Sequence, residues 1–255
     1  MKLSIVIPVR NEHDTVVQLI DRVRAVDCGM PKELIVVDGA STDGTRDALL
    51  ALGESDELAL VLEDRARGKG RAVRTGFERA TGDIVMVQDA DLELDPSEIP
   101  ALLAPIVEGR THVVFGSRFK ATGRARAPLV GYTGNFALTT VTNVLYRAHL
   151  TDILTCYKVM RREVAAGLDL QCNGFDLDAE IACRLLRDGY DILEVPVTYD
   201  PRSADEGKKL SPGVGWSVLR AILRVRFSRA HVRAAGDRVA ARPFATTAAD
   251  RDDDR

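Results

Sequence analysis

The sequence predicts one large α/β domain whose mostly parallel central sheet is flanked by helices. Three observations carry that prediction. Short β-branched runs alternate with amphipathic stretches from residue 3 onward, the pattern of strands joined by crossover helices. Each early run ends in polar or glycine-rich sequence, as expected where a parallel sheet presents its C-terminal edge to a ligand. The 255 residues are also enough for a substantial core with an appendage. We expect a main domain over residues 1–210, a basic amphipathic helix over 211–235 and a disordered tail over 236–255.

Strands are expected at residues 3–9, 33–38, 58–63, 83–88 and 113–116. Between the first two, residues 15–26 place Val16, Leu19, Ile20 and Val23 at helical spacing. The strand endings are Arg10-Asn11-Glu12, Asp38-Gly39-Ala40-Ser41, Arg67-Gly68-Lys69-Gly70 and Asp89-Ala90-Asp91. In a parallel sheet they converge on one crevice. The second half is less regular, with helices expected at 131–149 and 176–188 and strands at 158–160 and 192–197. Gly174-Phe175 and Gly189-Tyr190 punctuate the second of those helices.

Residues 213–232 carry Arg220, Arg224, Arg226 and Arg229 among Trp216, Leu219, Ile222, Leu223 and Phe227. Two readings fit: a helix lying on an anionic membrane surface, or a helix packed on the domain with its Arg heads in water. The tail from Gly236 lacks apolar periodicity.

A formal charge of −3 gives no global basic field, so nucleic acid is not an expected partner. No apolar stretch approaches the ~20 residues of a membrane span, and no charged leader precedes an apolar block. A cytoplasmic, non-integral protein is expected. Cys28, Cys156, Cys172 and Cys183 are scattered without a CxxC pair, which fits reduced core thiols better than zinc or disulfides.

Asp89-Ala90-Asp91 follows the apolar run 84–87, with Glu93 two residues on. Such hard oxygen donors suit Mg²⁺ or Mn²⁺ rather than zinc. The bland alternative is a strand end followed by a helix cap at Asp95-Pro96-Ser97. Asp38 ends its strand ahead of an Asp43-Gly44 turn, a position from which a carboxylate accepts hydrogen bonds from a ribose or a base. Gly68-Lys69-Gly70 has neither P-loop nor dinucleotide-fingerprint spacing, although its amides and ammonium suit phosphate oxygens.

Taken in order, Pro8-Val9-Arg10-Asn11-Glu12, the Asp38 loop, Gly68-Lys69-Gly70 with Gly76, and Gly82-Asp83 running into Asp89-Ala90-Asp91 resemble the family 2 glycosyltransferases of A-type fold. That resemblance implies a nucleotide-binding, Rossmann-like first half. Phe115-Gly116-Ser117-Arg118-Phe119, Gly134-Asn135, Thr151-Asp152, Tyr157-Lys158, Gly174-Phe175 with Glu180, Glu194-Val195-Pro196-Val197, and Arg202 with Lys208-Lys209-Leu210 look like the dolichyl-phosphate mannose synthase branch.

The resemblance implies an inverting enzyme that moves a sugar from a nucleotide-diphosphate donor, UDP-glucose or GDP-mannose, to a polyprenyl phosphate. Pro8, Arg10, Glu12 and Asp38 would then contact base and ribose. Lys69 and Ala90 belong to the donor site, and Asp89 and Asp91, with Glu93 where the branch often has Gln, would hold Mg²⁺ or Mn²⁺. Arg118, Arg202 and one of Lys208 or Lys209 look like the cations that face donor diphosphate and acceptor phosphate. Gly39 stands where the family often has a second acid, leaving more of the nucleoside recognition to Asp38.

A polyprenyl acceptor calls for peripheral contact with the cytoplasmic face of the membrane, directly or through a membrane subunit. Two alternatives stay open: a sugar-hydroxyl acceptor with Asp178 or Glu180 as general base, and a catalytically silent nucleotide-sugar-binding subunit. A phosphatase using an Asp-x-Asp pair is disfavoured, because its motif sits on the first strand and not about the fourth.

Overall fold

Residues 3–9 read Leu-Ser-Ile-Val-Ile-Pro-Val and all seven are buried, as a strand covered on both faces demands. This strand, β1 (Leu3–Val9), lies between β2 (Lys32–Asp38) and β4 (Ile84–Val87), parallel to both, and β3 (Leu58–Leu62) extends the sheet beyond β2. Val9 pairs with Asp38 and Asp38 with Leu62. The first three strands therefore end at one level, and Val87 beside Val6 brings residues 88–91 to the same edge.

The computed structural model describes residues 1–120, 129–202 and 213–228, with backbone alone at 129–132. Helix α1 (Val16–Ala25) buries the four predicted apolar residues. Helices α2 (Thr45–Leu52), α3 (Lys69–Arg79) and α4 (Ile99–Val107) follow their strands. Gly44, at φ 93°, turns the chain into α2 in the left-handed region that glycine occupies without strain. The carboxylate of Asp95 accepts from the amide of Ser97 and caps the 3-10 turn Pro96–Glu98 ahead of α4, so the expected cap is present beside the acidic cluster.

In the second half come β5 (Val113–Ser117), α5 (Leu129–Tyr146), β6 (Lys158–Arg161), α6 (Arg162–Gly167), α7 (Leu177–Arg187), β7 (Ile192–Pro196) and α8 (Gly213–Phe227). The seven-stranded sheet has the order β3-β2-β1-β4-β6-β5-β7. β6 is antiparallel to β4 and β5, and β7 is parallel to β5. Only four residues long, β6 has a direction its composition does not encode. The short α6 was not expected, since six residues show no helical period. Helix α5 ends before His149 because Arg147 turns left-handed at φ 57°. All four cysteines are free and buried. The predicted tail and residues 229–235 of the predicted basic helix lie outside the described residues.

Candidate active site

At the end of β4, both carboxylate oxygens of Asp89 lie within 2.9 Å of Lys69 Nζ. Lys69 is also 3.7 Å from Asp178, which pairs with the fully buried Lys158 at 2.9 Å. Charges thus alternate from the core to the crevice: Lys158, Asp178, Lys69, Asp89. Asp91 follows without an ion-pair partner among the described residues; its Oδ1 accepts from the Glu93 amide at 3.2 Å. Burial first, then the negative charges of Asp89 and Glu93, push the Asp91 carboxyl up to about 7.

Glu93 was expected beside Asp89 and Asp91 as a third metal ligand. Its side chain instead accepts from Tyr199 Oη and from the Arg202 amide, each at 3.0 Å. It anchors residues 199–202 across the crevice. Among the described residues no group of three His, Cys, Asp or Glu side chains is disposed to hold a metal.

Asp38 was expected to face a base or ribose, but it is fully buried. Its Oδ2 accepts from Arg46 Nε at 2.6 Å, and Oδ1 accepts from the Ser41 amide at 3.2 Å. In this structure the partner of that carboxylate is an internal arginine. Glu63, one residue past β3, lies beside it: its amide donates to the Asp38 carbonyl at 2.9 Å. Burial pushes the Glu63 carboxyl up against the opposing pull of Arg67 and Arg71. Pro8 is buried within β1, while Arg10 is exposed at its end.

Two guanidinium groups flank the acids. Arg202 donates to Glu12 Oε2 at 2.6 Å and to the Asp91 carbonyl at 2.9 Å. Arg118 forms a two-pronged pair with the fully buried Asp152, at 2.7 and 2.8 Å, the fixed fork geometry that suits guanidinium to carboxylate. Asn135 donates to the same carboxylate at 2.8 Å, and Glu194 accepts from the amides of Thr151 and Asp152. The Arg118 guanidinium stacks 5.0 Å from the Tyr199 ring, so Tyr199 joins the Arg118 side of the crevice to Glu93. Lys208 and Lys209 lie outside the described residues.

Of the two carboxylates considered as bases, Glu180 is fully buried. It accepts from the Gln171 and Cys172 amides, from Arg184 and from Arg224. Its charge holds α7 to the 171–172 segment and to α8, and its lone pairs are spent there. Asp178 stands nearer the crevice. Burial raises its pKa, but Lys158 and Lys69 outweigh that and hold it below the usual carboxylate range. The glycines around Lys69 also differ from expectation. A Cβ on Gly70 would sit 2.7 Å from the Cys172 carbonyl oxygen, so glycine there admits the 172–174 backbone.

The family model described as glycosyl transferase family 2 matches residues 4–168. The chain belongs to that family. It is 31% identical over 87% of its length to the low-salt glycan biosynthesis hexosyltransferase Agl6 of Haloferax volcanii, and 29% identical over 82% to a dolichol-phosphate mannosyltransferase of Pyrococcus furiosus. It spans 53% and 59% of those two proteins. Among solved structures, glucosyl-3-phosphoglycerate synthase from Mycobacterium tuberculosis, in complex with Mn²⁺, uridine diphosphate and phosphoglyceric acid, superposes with a TM-score of 0.70 at 22% identity, covering 90% of this chain and 80% of that one. That likeness is one of fold, the A-type fold of these glycosyltransferases.

The outer face of this family 2 member is apolar near α5 and α8. Helix α8 buries Val218, Ala221, Ile222 and Val225, so much of its apolar stripe is core, as the packed-helix reading expected. Trp216 and Phe227 are nonetheless 71% and 72% exposed, beside exposed Arg220. The neighbouring α5 carries no charged residue over its 18 positions and exposes Phe136 and Val144. Among the described residues no helix is long and apolar enough to cross a membrane.

Sequence reasoning missed Arg46, Glu63, Lys158 as the deep end of the charge string, and Asp152 as the partner of Arg118. Arg46 was within reach: it lies eight residues after Asp38, on the first turn of the helix that the Asp38 loop launches. Arg118 and Asp152 are 34 residues apart and meet only through packing.

Proposed function

We propose that this chain is an inverting glycosyltransferase that moves a sugar from a nucleotide-diphosphate donor, UDP-glucose or GDP-mannose, to the phosphate of a polyprenyl carrier. One observation carries the reading: a single crevice sets Asp91, an acid without a counter-ion among the described residues, against two guanidinium groups, Arg118 and Arg202. A metal diphosphate complements the first and an acceptor phosphate the second. The printed name of the Pyrococcus relative and the Mn²⁺ and uridine diphosphate of the fold neighbour favour the same chemistry.

Mg²⁺ or Mn²⁺ fits the donor set. Asp89 and Asp91 offer hard carboxylate oxygens, and the raised Asp91 pKa marks a buried excess of negative charge that a cation relieves. Asp89 and Asp91 would hold the ion, with Glu93 supporting the 199–202 segment. When bound, the ion neutralises charge on the leaving diphosphate. Pro8, Arg10 and Glu12 line the nucleoside side, and Lys69 keeps its ammonium at Asp89.

Arg118, fixed by Asp152, and Arg202, released from Glu12, orient the acceptor phosphate, and the family resemblance implies Lys208 or Lys209 as a further cation for it. A phosphate monoester has a second pKa near ~6 and attacks as the dianion. Its oxygen bonds to the anomeric carbon as the bond from that carbon to the diphosphate oxygen breaks, inverting the centre. No general base is needed, and catalysis reduces to positioning and charge neutralisation. A hydroxyl acceptor would require a free carboxylate. Glu180 is saturated and Asp178 is committed to two lysines, which favours the phosphate.

Access to a lipid-borne phosphate calls for contact with the cytoplasmic face of the membrane, directly or through a membrane subunit. Exposed Trp216, Phe227 and Arg220 on α8, with Phe136 on α5, form an amphipathic face of the kind that seats on anionic lipid.

The test is transfer of radiolabelled sugar from a panel of UDP- and GDP-sugars to polyprenyl phosphate in anionic vesicles. The expected outcome is a metal-dependent, mild-acid-labile glycolipid, with the protein floating on the vesicles and the Trp216→Ser, Arg220→Glu double variant losing flotation. Transfer to a soluble sugar hydroxyl alone would replace the phosphate reading. Nucleotide binding without any transfer would make the chain a silent subunit.

A further inference from the structure

At the C-terminal edge of the sheet, one residue past β3, Glu63 is an unmet buried group. It is only 8% exposed, and its Oε2 is buried with no hydrogen-bond partner. A buried acceptor left unpaired is costly, yet the chain around it is tightly specified. The Glu63 amide bonds the Asp38 carbonyl, and its carbonyl accepts from Arg46 Nη2. The Glu63 backbone is therefore satisfied while its Oε2 is not. Glu63 also stands at the C-terminal edge of the sheet, one strand outward from Asp38, where a nucleoside bound at these strand ends would meet it.

Arg46 makes Glu63 matter. By pairing with Asp38 inside the protein, it withdraws the carboxylate that would otherwise meet the base. The acceptor left on this wall is one residue beyond the next strand. Arg71, on α3, has a buried Nε that also lacks a partner, and it lies close enough to act electrostatically on Glu63.

We infer that Glu63 reads the donor's nucleobase, and that the base it selects is guanine. The claim rests on the nucleotide-sugar reading above and deepens it. Guanine presents adjacent donors, N1–H and the 2-amino group, which a carboxylate accepts side by side, while its O6 is an acceptor for a donor such as Arg71. Uracil offers one N–H between two carbonyl oxygens, so the second carboxylate oxygen would face an acceptor. A polar site built for two donors rejects a base that supplies one, because a buried group stays unpaired.

The experiment is calorimetric titration of the full-length protein with GDP and with UDP in Mn²⁺, for wild type, Glu63→Gln and Glu63→Ala, each checked for an unchanged melting profile. Wild type is expected to bind GDP at least about tenfold more tightly than UDP, the scale of one charge-assisted hydrogen bond. Both variants should lose about tenfold or more for GDP and much less for UDP. Wild-type preference for UDP, or a GDP-to-UDP ratio unmoved by either variant, overturns the role of Glu63 and leaves the donor reading standing. Failure to bind either nucleotide overturns both.

Discussion

The ends of β3 and β4 treat buried charge differently from the second half of the sheet. Beyond β5, acids and bases come in matched pairs: Arg118 with Asp152, Lys158 with Asp178, Glu180 with Arg184. At the ends of β3 and β4 acids outrun their partners among the described residues, and burial pushes both Glu63 and Asp91 up. Paired charges hold a geometry, whereas unpaired ones await something from outside. On the proposed reading, the first half would receive a cation and N–H donors, and the second would present cations already locked in place.

The largest test of that contrast is Asp91→Asn. It removes the unpaired charge with little change of shape, so sugar transfer should fall by about a thousandfold or more, the scale of lost electrostatic stabilisation at a reacting centre. The metal-free fold should survive. Retained transfer in Mg²⁺ or Mn²⁺ would dissolve the distinction between the halves.

Next is Asp152→Asn on the paired side. It strands the Arg118 guanidinium and should cost roughly 2–3 kcal/mol, at or below the low end for a broken buried pair because Arg118 keeps some water. For a domain of this size that is a fall of about 5–10 °C in Tm. A melting point within a degree of wild type would mean that the pair fixes nothing.

A smaller effect sharpens the same point through pH. Asp91 titrates at about 7 in the fold against an ordinary 3.8, so between those values the folded chain binds more protons than the unfolded one. Its contribution to stability is present below pH 4 and lost as pH rises through 7. Metal-free wild type should therefore lose Tm between pH 5 and 8 relative to Asp91→Asn, and Mn²⁺ should restore it at pH 8. Parallel melting curves for the two proteins across that range would count against an uncompensated Asp91.

Much of the first half was legible because its information is local. The alternation of strands and helices, the four buried apolar residues of α1, the Asp95 cap and the convergence of strand ends follow from periodicity and turn chemistry within a few residues. The positions of Asp89 and Asp91 followed from the same logic. The environments of those acids did not. Asp38 looked like a ligand for a nucleoside and here pairs with Arg46, while Glu93 looked like a metal ligand and here accepts from Tyr199 and Arg202.

By itself, then, the sequence determined the α/β class, the parallel first half, the family and the edge at which the acidic residues gather. Only the tertiary structure decided that β6 runs antiparallel, that Glu180 is surrounded by donors and Asp178 is bridged by two lysines, and which acids lack a counter-ion among the described residues. The reason is physical. Period and capping are set by neighbours along the chain, whereas a carboxylate's role depends on which cation lies within 3 Å, and packing brings that cation from residues as distant as 190 positions, as between Glu12 and Arg202.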